Sequence, residues 1–492
     1  VTGVQTCALP ILSVLLIACN DHDSEPTELT LSDNTLTISD EGGNITIMVT
    51  SNGYWHINTD GQNWYTLSAT EGTGNQLISI SIEQFNTADL MRAAQLTFDY
   101  ADGQAVLVLT QNRPAPPANP DDISIRLRAR GGSSSLTFPS GYKCHLVVPD
   151  TANWLVCSQL AEDDTTFSID VAKNTGNANR ATSIEVRSSY DELIRKFEIV
   201  QSWRNLEPGE LLIEEVFFTS NIIEETGRPD KYHGDQYFRL TNNTDEVIYA
   251  DGVLICEAFI NSVQNYEYLE PNKDSIADVC TCYQIPGSGT DVPIAPGKSL
   301  IIANNAQNHK ATNPNSFDLS AADFEWYDVS TNSVTDTDNP DIPNLNVWMT
   351  YTLSIWVLHD RGFKGYLLAL PPNSVDNEVF LRDYQWTGQY IAHTLAGDFI
   401  MDIQRYAYKI PHAWVLDAVN LSVEEKFFTL SFDAKLDAGW AHCGTIDSDP
   451  TRYGHSVRRK TDENGKLIDT NNSTYDFISD AVPTLKENPV WK

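Results

Sequence analysis

The sequence predicts an all-β protein built from β-sandwiches arranged in tandem. Short runs in which apolar and polar residues alternate, such as 44–49 and 77–82, recur from residue 29 to residue 203, and clusters of Gly, Asn and Asp separate them. Alternation with a period of two is typical of half-buried strands, and regularly spaced turn residues are typical of antiparallel sandwiches. Hydrophobic residues make up 41% of the chain and aromatic residues 10%, which is enough to fill such cores.

The N-terminal segment carries a targeting signal. An apolar run from Ala8 to Ala18 ends at Cys19 and is followed by polar and acidic residues. The run is about half the ~20 residues that a membrane-spanning helix needs. It resembles a bacterial lipobox, which implies that residues 1–19 are a lipoprotein signal, that Cys19 is lipidated, and that the protein is anchored at the outer membrane or cell surface. An ordinary secretory signal with a fortuitous cysteine is the alternative.

The first ten residues do not fit a signal peptide. Residues 1–18 contain no charged residue and start at Val1, whereas a signal peptide begins with Met and a basic segment. We therefore expect the segment up to Pro10 to be a truncated or artefactual start.

Two blocks, residues 28–112 and 122–203, form an internal repeat joined by a Pro-rich, stiff linker at 113–121. Each block has a Trp before a strand, an Arg before a later strand, and a final strand that ends in Gln; these residues are Trp64, Arg92 and Gln111, then Trp154, Arg180 and Gln201. This order resembles BACON domains, which are small Ig-like sandwiches of Bacteroidetes surface proteins. The resemblance implies carbohydrate binding.

Two tryptophans of the first block allow two interpretations. Trp55 and Trp64 could stack on sugar rings, or they could fill the core of the sandwich, as Trp commonly does in Ig-like folds.

The sequence predicts one larger β domain at residues 207–492. Strand patterns at 211–218, 237–242 and 299–303, with a Pro-Gly turn at 296–297, resemble lamin-tail-like Ig domains. The resemblance covers 209–303 and, more loosely, 373–422. The Asn- and Asp-rich segment 304–372 between them is expected to be a long loop insertion.

Net charge excludes one class of partner. The formal charge is −35, so the chain repels the phosphates of nucleic acids, and we expect no DNA or RNA binding. Neutral ligands such as glycans remain compatible with this charge.

Three sets of residues are candidates for cross-linking or ligand binding. Cys144 and Cys157 could form a disulfide, or be small buried residues. Asp336, Asp338 and Asp341 offer oxygen ligands at nearby positions, as calcium loops do, but lack the glycine and the later Glu of an EF-hand, so a solvated loop is the alternative. We expect no other cofactor.

The third set consists of aromatic residues in or near the insertion. Rings beside Asn and Asp supply stacking faces together with hydrogen-bonding groups, which recognition of saccharides or proteins requires. Alternatively, the large domain needs these rings for its own core. The candidates are Trp326, Tyr327, Trp348, Tyr351, Trp356, Trp386 and Tyr390.

Together these patterns predict a non-catalytic surface lipoprotein. The C-terminal module would bind carbohydrate or an envelope or host protein, and the two smaller domains would act as a spacer. Phosphate loops, nucleophile elbows and zinc-protease motifs are absent from the sequence. The alternatives are a polysaccharide hydrolase, which needs only two suitably spaced carboxylates, and a purely structural surface component.

Overall fold

The computed structural model describes residues 26–85, 91–114, 122–138, 143–158, 160, 165–269, 275–331, 333–403, 407–425 and 428–487. Strands make up most of the regular structure, which confirms the all-β fold class. The predicted lipidation site Cys19, the signal segment 1–19 and most of the predicted linker lie outside these ranges. Within them, no helix combines the length and the apolar character needed to cross a membrane.

The first sandwich has nine strands: β1 (Leu29–Leu31), β2 (Thr35–Ile38), β3 (Gly43–Ser51), β4 (Tyr54–Thr59), β5 (Tyr65–Leu67), β6 (Glu71–Thr73), β7 (Gln76–Ile82), β8 (Arg92–Tyr100) and β9 (Gly103–Gln111). One sheet has the order β1-β3-β7-β5 and the other β2-β9-β8-β4-β6. The period-two pattern sets the register, because Ile47 pairs with Ile78 and Ile45 with Ile80. Their side chains share a core with Trp55 and residues of the facing sheet.

The second sandwich has seven strands: β10 (Ile123–Leu127), β11 (Gly132–Thr137), β12 (Cys144–Val147), β13 (Leu155–Cys157), β14 (Thr166–Val171), β15 (Arg180–Ser188) and β16 (Leu193–Gln201). Its sheets have the orders β10-β16-β15-β12 and β11-β14-β13. Strand β10 runs parallel to β16, as β2 does to β9 in the first sandwich. The second sandwich therefore repeats the strand arrangement of the first, without counterparts of β1 and β6.

A buried glutamine closes the first sandwich, in that its side chain joins the end of the last strand, β9, to two loops. Gln111 is fully buried, and its Oε1 accepts a hydrogen bond from Nε of Arg92 over 2.8 Å. The Arg92 guanidinium also lies 4.7 Å from the centre of the Trp64 ring. The Nε2 of Gln111 donates to three main-chain carbonyls, those of Ser39, Asp40 and Glu83. One side chain thus donates hydrogen bonds to main-chain carbonyls of two separate loops.

The same closure recurs in the second sandwich. Arg180 donates to Oε1 of the buried Gln201 over 2.7 Å and lies 4.6 Å from the ring centre of Trp154. The Nε2 of Gln201 donates to the carbonyls of Arg128, Ala129 and Ala172. The residues that mark the repeat in the sequence are thus the residues that close each sandwich.

The sequence allowed either a disulfide or small buried residues at Cys144 and Cys157, and in the described residues the two sulfurs are not joined to each other. Cys144 lies opposite Ser188 in one sheet, whereas Cys157 lies opposite Ile169 in the other sheet. Both cysteines are partly buried against the core.

The C-terminal module contains the remaining strands: β17 (Leu211–Phe217), β18 (Ile222–Ile223), β19 (Arg228–Pro229), β20 (Tyr237–Asn242), β21 (Ile248–Tyr249), β22 (Leu254–Asn261), β23 (Tyr266–Tyr268), β24 (Ile276–Gln284), β25 (Pro293–Ile294), β26 (Ser299–Ala303), β27 (Phe324–Glu325), β28 (Asn346–Thr350), β29 (Lys364–Ala369), β30 (Gly388–Thr394), β31 (Gly397–Ile403), β32 (Tyr408–Pro411), β33 (Val415–Val419), β34 (Leu421–Ser422), β35 (Ala441–His442), β36 (Ser456–Arg459) and β37 (Phe477–Ala481). Its short helices are α1 (Asn377–Asp383), α2 (Ser473–Asp476) and α3 (Thr484–Glu487), with 3-10 turns at His309–Ala311, His412–Trp414 and Pro450–Arg452.

Two large sheets enclose the main core of this module. One has the order β27-β26-β20-β17-β36-β37; the other has the order β28-β24-β22-β29-β33, with β32 also paired to β24. A second apolar cluster, which includes Phe380 of α1 and Trp414, covers the outer face of the sheet that contains β22 and β29. That sheet is therefore buried on both faces.

The segment 304–372 is not the loop insertion expected from the sequence. Strand β29 lies inside a large sheet between β22 and β33, and β28 lies at the edge of the same sheet. Residues 365–369 are all buried, so their apolar run shows no period of two. The alternation that identified the earlier strands is absent for this physical reason.

The buried glutamine allows a direct stability test. Gln111→Leu keeps the volume roughly constant but removes one hydrogen bond from each of three loop carbonyls and the one that Nε of Arg92 donates. We expect the first sandwich to lose about 2 kcal/mol or more. Amide hydrogen exchange of β3 and β7 in the full chain measures this loss. The matched control is Gln95→Leu at an exposed position, which should change the exchange free energy by less than about 0.5 kcal/mol. Equal effects of the two variants would contradict the closure role of Gln111.

Candidate functional site

A cleft of about 440 Å³ lies where the second sandwich meets the C-terminal module. The sandwich side is formed by loop residues around Ala129 and Lys173 and by the connecting segment 203–205. The module side is formed by the end of β24, by β28 and by the loop 370–377 that leads from β29 into α1. Residues far apart in the sequence therefore share one concave surface.

An ion pair holds the two walls of the cleft together. Arg128 of the sandwich donates to both carboxylate oxygens of Glu210, with an Nη2–Oε1 distance of 2.8 Å, and also to the carbonyl of Asn205. The hydrogen bonds with Glu210 raise the pKa of Arg128, so the guanidinium stays charged. The Oδ1 of Asn205 in turn accepts from the main-chain N–H of Arg130. The segment between the two bodies is thus fixed by its own polar groups.

Further contacts cross the seam on either side of this ion pair. Arg204 donates to the carbonyl of Ala413 over 2.8 Å, and the Nδ2 of Asn373 donates to the carbonyl of Asn174 over 3.3 Å. The Arg130 guanidinium lies 4.8 Å from the ring centre of Tyr249. Because these contacts lie at several points of the seam, we infer that the cleft has a defined shape.

The lining of the cleft combines aromatic rings with amide side chains. Trp203 and Trp348 contribute to it, and the Trp348 ring lies 5.3 Å from Phe380, measured between ring centres. The amide-bearing residues of the lining are Asn205, Gln284, Asn346, Asn373 and Asn377. Amides both donate and accept hydrogen bonds, so this lining suits a ligand that carries several hydroxyl groups.

One polar atom at the cleft lacks a hydrogen-bond partner. The Nδ2 of Asn377 donates to the carbonyl of Val347 over 3.3 Å, while its buried Oδ1 has no partner among the described residues. Buried polar atoms are nearly always paired, so an unpaired acceptor beside a concave surface is a position where a ligand or water can bind.

Asp251 shapes one rim of the cleft. Its Oδ1 accepts from the main-chain N–H groups of Gly289 and Asp291, and its Oδ2 accepts from that of Val292. Gly287 adopts a φ of 142°, and a Cβ at this position would lie 2.1 Å from Oδ1 of Asp251. Only glycine therefore allows the loop to close over this carboxylate.

Among the aromatic residues predicted to bind ligand, Trp348 is the one that lines the cleft, and it is mostly buried. Trp203 was missed, because it lies at the end of the second block, where the repeat pattern assigned it no role. A Trp directly after the last strand of a sandwich, in the segment leading to the next domain, was the available signal.

Trp326 and Trp356 are core residues, so the prediction of ligand binding is wrong for them. Both are fully buried, and their ring centres are 5.2 Å apart. The Nε1 of Trp326 donates to the carbonyl of Trp356, and the Nε1 of Trp356 donates to Oε2 of Glu257 over 3.0 Å. Their rings fill the space between the two large sheets.

Trp386 and Tyr390 are brought together at the base of a small three-stranded sheet. Trp386 is buried in a cluster with Ile403, and Tyr390 packs partly exposed against it. Tyr327 is partly buried and Tyr351 is exposed, and neither lines the cleft. The aromatic candidates therefore do not form one site.

Trp55 and Trp64 belong to the core of the first sandwich. Trp55 is fully buried, and Trp64 is nearly so beneath Arg92. Neither ring face is available to stack on a sugar, so the core interpretation is correct.

The three candidate calcium ligands are not assembled into a metal site. Oδ1 of Asp336 accepts from Asn305, and its Oδ2 accepts from the main-chain N–H of Asp328. Asp338 accepts from Asn344. In the part of the chain that the structure describes, no three His, Cys, Asp or Glu side chains are grouped to hold a metal ion.

Glu257, which accepts a hydrogen bond from Trp356, should make the stability of the protein depend on pH. Burial raises the pKa of Glu257 above 4.5, because removal from water disfavours the charged form, although nearby Lys364 opposes the shift. The folded protein then retains this proton at pH values where the unfolded chain has lost it. The stability contributed by Glu257 is largest below pH 4.5 and falls as the pH rises through the raised pKa.

Glu257→Gln removes this titration while keeping an acceptor for Trp356. We expect the unfolding free energy of the variant, relative to the unmodified protein, to increase from about pH 5 to about pH 8. Chemical denaturation at a series of pH values measures this difference. The control Glu424→Gln, at an exposed position, should show no such trend. A constant difference for Glu257→Gln would contradict the raised pKa.

Two segments of the chain are similar to known protein families. Residues 53–112 match the BACON family, described as "Putative binding domain, N-terminal". Residues 295–484 match DUF4876, described as a protein of unknown function, and this match runs through the segment 304–372. No curated protein matches the chain.

Several solved structures are similar to parts of the chain. A crystal structure of a DUF4876 family protein from Bacteroides thetaiotaomicron is 21% identical, with a TM-score of 0.46, over 75% of this chain and 96% of that one. A GH5 xyloglucanase from Bacteroides ovatus, solved with a heptasaccharide, is 26% identical over 19% of this chain and 20% of that one, with a TM-score of 0.17. Residues 53–112 are thus similar to the BACON family and residues 295–484, within the C-terminal module, to the DUF4876 family.

Proposed function

We propose that this chain is a non-catalytic carbohydrate-binding protein and that the ligand occupies the cleft between the second sandwich and the C-terminal module. The observation that carries the proposal is the lining of the cleft, where the partly exposed Trp203 stands among amide side chains, beside the buried Trp348. A sugar presents an apolar C–H face and a rim of hydroxyl groups, which match an aromatic ring and amides, respectively.

The size of the cleft fits a ligand of this kind. A volume of about 440 Å³ lies within the range of roughly 300–1,000 Å³ that is usual for small-molecule sites. A few sugar units would fit in this space. The unpaired Oδ1 of Asn377 would accept a hydrogen bond from a hydroxyl group of the ligand.

The carboxylates of the cleft support binding rather than hydrolysis. Glycoside hydrolysis uses two carboxylates on either side of the bond that is cleaved. Asp251 accepts three main-chain hydrogen bonds within its own loop, and Asp376 caps helix α1 by accepting from the main-chain N–H of Val379. Both side chains therefore have structural tasks.

We further propose that the second sandwich is a BACON-type domain with a binding role, because it repeats the strand order and the closure of the first sandwich and contributes one wall of the cleft. The first sandwich, whose two tryptophans are buried, would act as the spacer. A lipid anchor at Cys19 would hold this assembly at the cell surface.

The proposal is tested by glycan-array screening of the full chain followed by calorimetric titration. Asn346→Ala removes an exposed amide of the cleft whose only hydrogen bond among the described residues is a 3.4 Å contact to Gln284. We expect this variant to bind the selected glycan at least about tenfold more weakly. The matched control Asn464→Ala, at an exposed position away from the cleft, should bind normally.

Three outcomes would count against the proposal. Binding of no glycan by the full chain would contradict it, as would equal loss of affinity in the two variants. Release of reducing sugar by the purified protein would identify a hydrolase instead.

A further inference from the structure

A small sheet in the C-terminal module presents an open and unusually apolar edge. Strands β23, β30 and β31 form this sheet in that order, and within the described ranges β31 pairs with β30 alone. The main-chain donors and acceptors on the outer side of β31 are therefore available to another strand.

Strand β31 is exposed on both of its faces. The exposed fractions are 49% for Phe399, 66% for Ile400 and 45% for Met401. Phe399 and Met401 lie on the face that carries Tyr390, whereas Ile400 lies on the opposite face, beside Ile391. Three consecutive exposed apolar residues on an edge strand are typical of a protein interaction site.

The face that carries Ile400 is acidic. Asp398 and Asp402 lie two residues to either side of Ile400, and Glu267 of β23 lies on the same face. Asp398 is 2.9 Å from Nδ1 of His393, and Asp402 accepts from Nε2 of Gln389 over 2.8 Å. This face thus carries three carboxylates and a single imidazole.

This charge pattern opposes pairing of the edge with a second copy of itself. An antiparallel pair centred on Ile400 would place Asp398 of each copy opposite Asp402 of the other. Like charges directly opposite each other destabilise a sheet, whereas opposite charges stabilise it. Strand β31 therefore disfavours pairing with a second copy of itself and favours pairing with a strand that carries basic residues.

We propose that β31 binds an extended, basic segment of another protein by adding it to the sheet as a fourth strand. The partner segment would place basic residues opposite Asp398 and Asp402 and aliphatic residues opposite Phe399, Ile400 and Met401. Main-chain hydrogen bonds would supply affinity, and the alternating side chains would supply specificity.

The test uses a labelled heptapeptide with the pattern Thr-Lys-Val-Ile-Val-Lys-Thr, whose binding to the full chain is followed by fluorescence anisotropy. We expect saturable binding, and at least about tenfold weaker binding of the same peptide with both Lys replaced by Glu, because two attractive cross-strand pairs become repulsive. Ile400→Lys should weaken binding of the basic peptide by at least about tenfold as well.

The matched control is Val329→Lys, which makes the same change of charge at a residue that is 81% exposed and outside any strand. It should bind the basic peptide like the unmodified protein. Absence of binding, equal binding of both peptides, or normal binding by Ile400→Lys would overturn the proposal. Self-association of the chain that Ile400→Lys abolishes, measured by sedimentation, would also overturn it, since the strand would then pair with a second copy.

Discussion

The arrangement of the second sandwich on the C-terminal module depends on the ion pair between Arg128 and Glu210. Both side chains are about four-fifths buried, so removal of either one would leave a poorly hydrated charge at the seam. The same guanidinium also binds the carbonyl of Asn205, which fixes the chain segment that bears Trp203. This contact therefore helps to position one tryptophan of the cleft, together with the hydrogen bond from the main-chain N–H of Trp203 to Oδ1 of Asn179.

This contact is linked to the interior of the second sandwich. Gln201 donates a hydrogen bond to the carbonyl of Arg128, while the side chain of Arg128 reaches Glu210. Arg128 thus accepts a hydrogen bond from Gln201 through its carbonyl and binds Glu210 through its side chain. The first sandwich has the same closure around Gln111, but the contacts that build the cleft come from the second. The two copies of this fold therefore differ in their contacts, since the second one contributes residues to the cleft.

How much the sequence predicts depends on how each strand is buried. The strands of the two small sandwiches have one solvent-facing side, so β3 and β7 alternate and are readily recognised. Strand β29 is buried on both faces and has no alternation, which is why residues 304–372 resembled an insertion. Of the aromatic candidates named from the sequence, Trp348 alone lines the cleft. A concave surface between two parts of the chain depends on long-range contacts, such as that of Arg204 with Ala413, which the sequence does not reveal. Composition likewise could not separate Trp356, which fills a core, from a ring that faces a ligand.

The proposed saccharide lies in the cleft against the partly exposed Trp203. A crystal structure of the full chain with an oligosaccharide selected by screening tests this position most directly. We expect sugar density in the cleft, with a ring face against Trp203 and a hydroxyl group within hydrogen-bond distance of Oδ1 of Asn377. Sugar density at another surface, with the cleft filled by solvent, would contradict this position of the ligand.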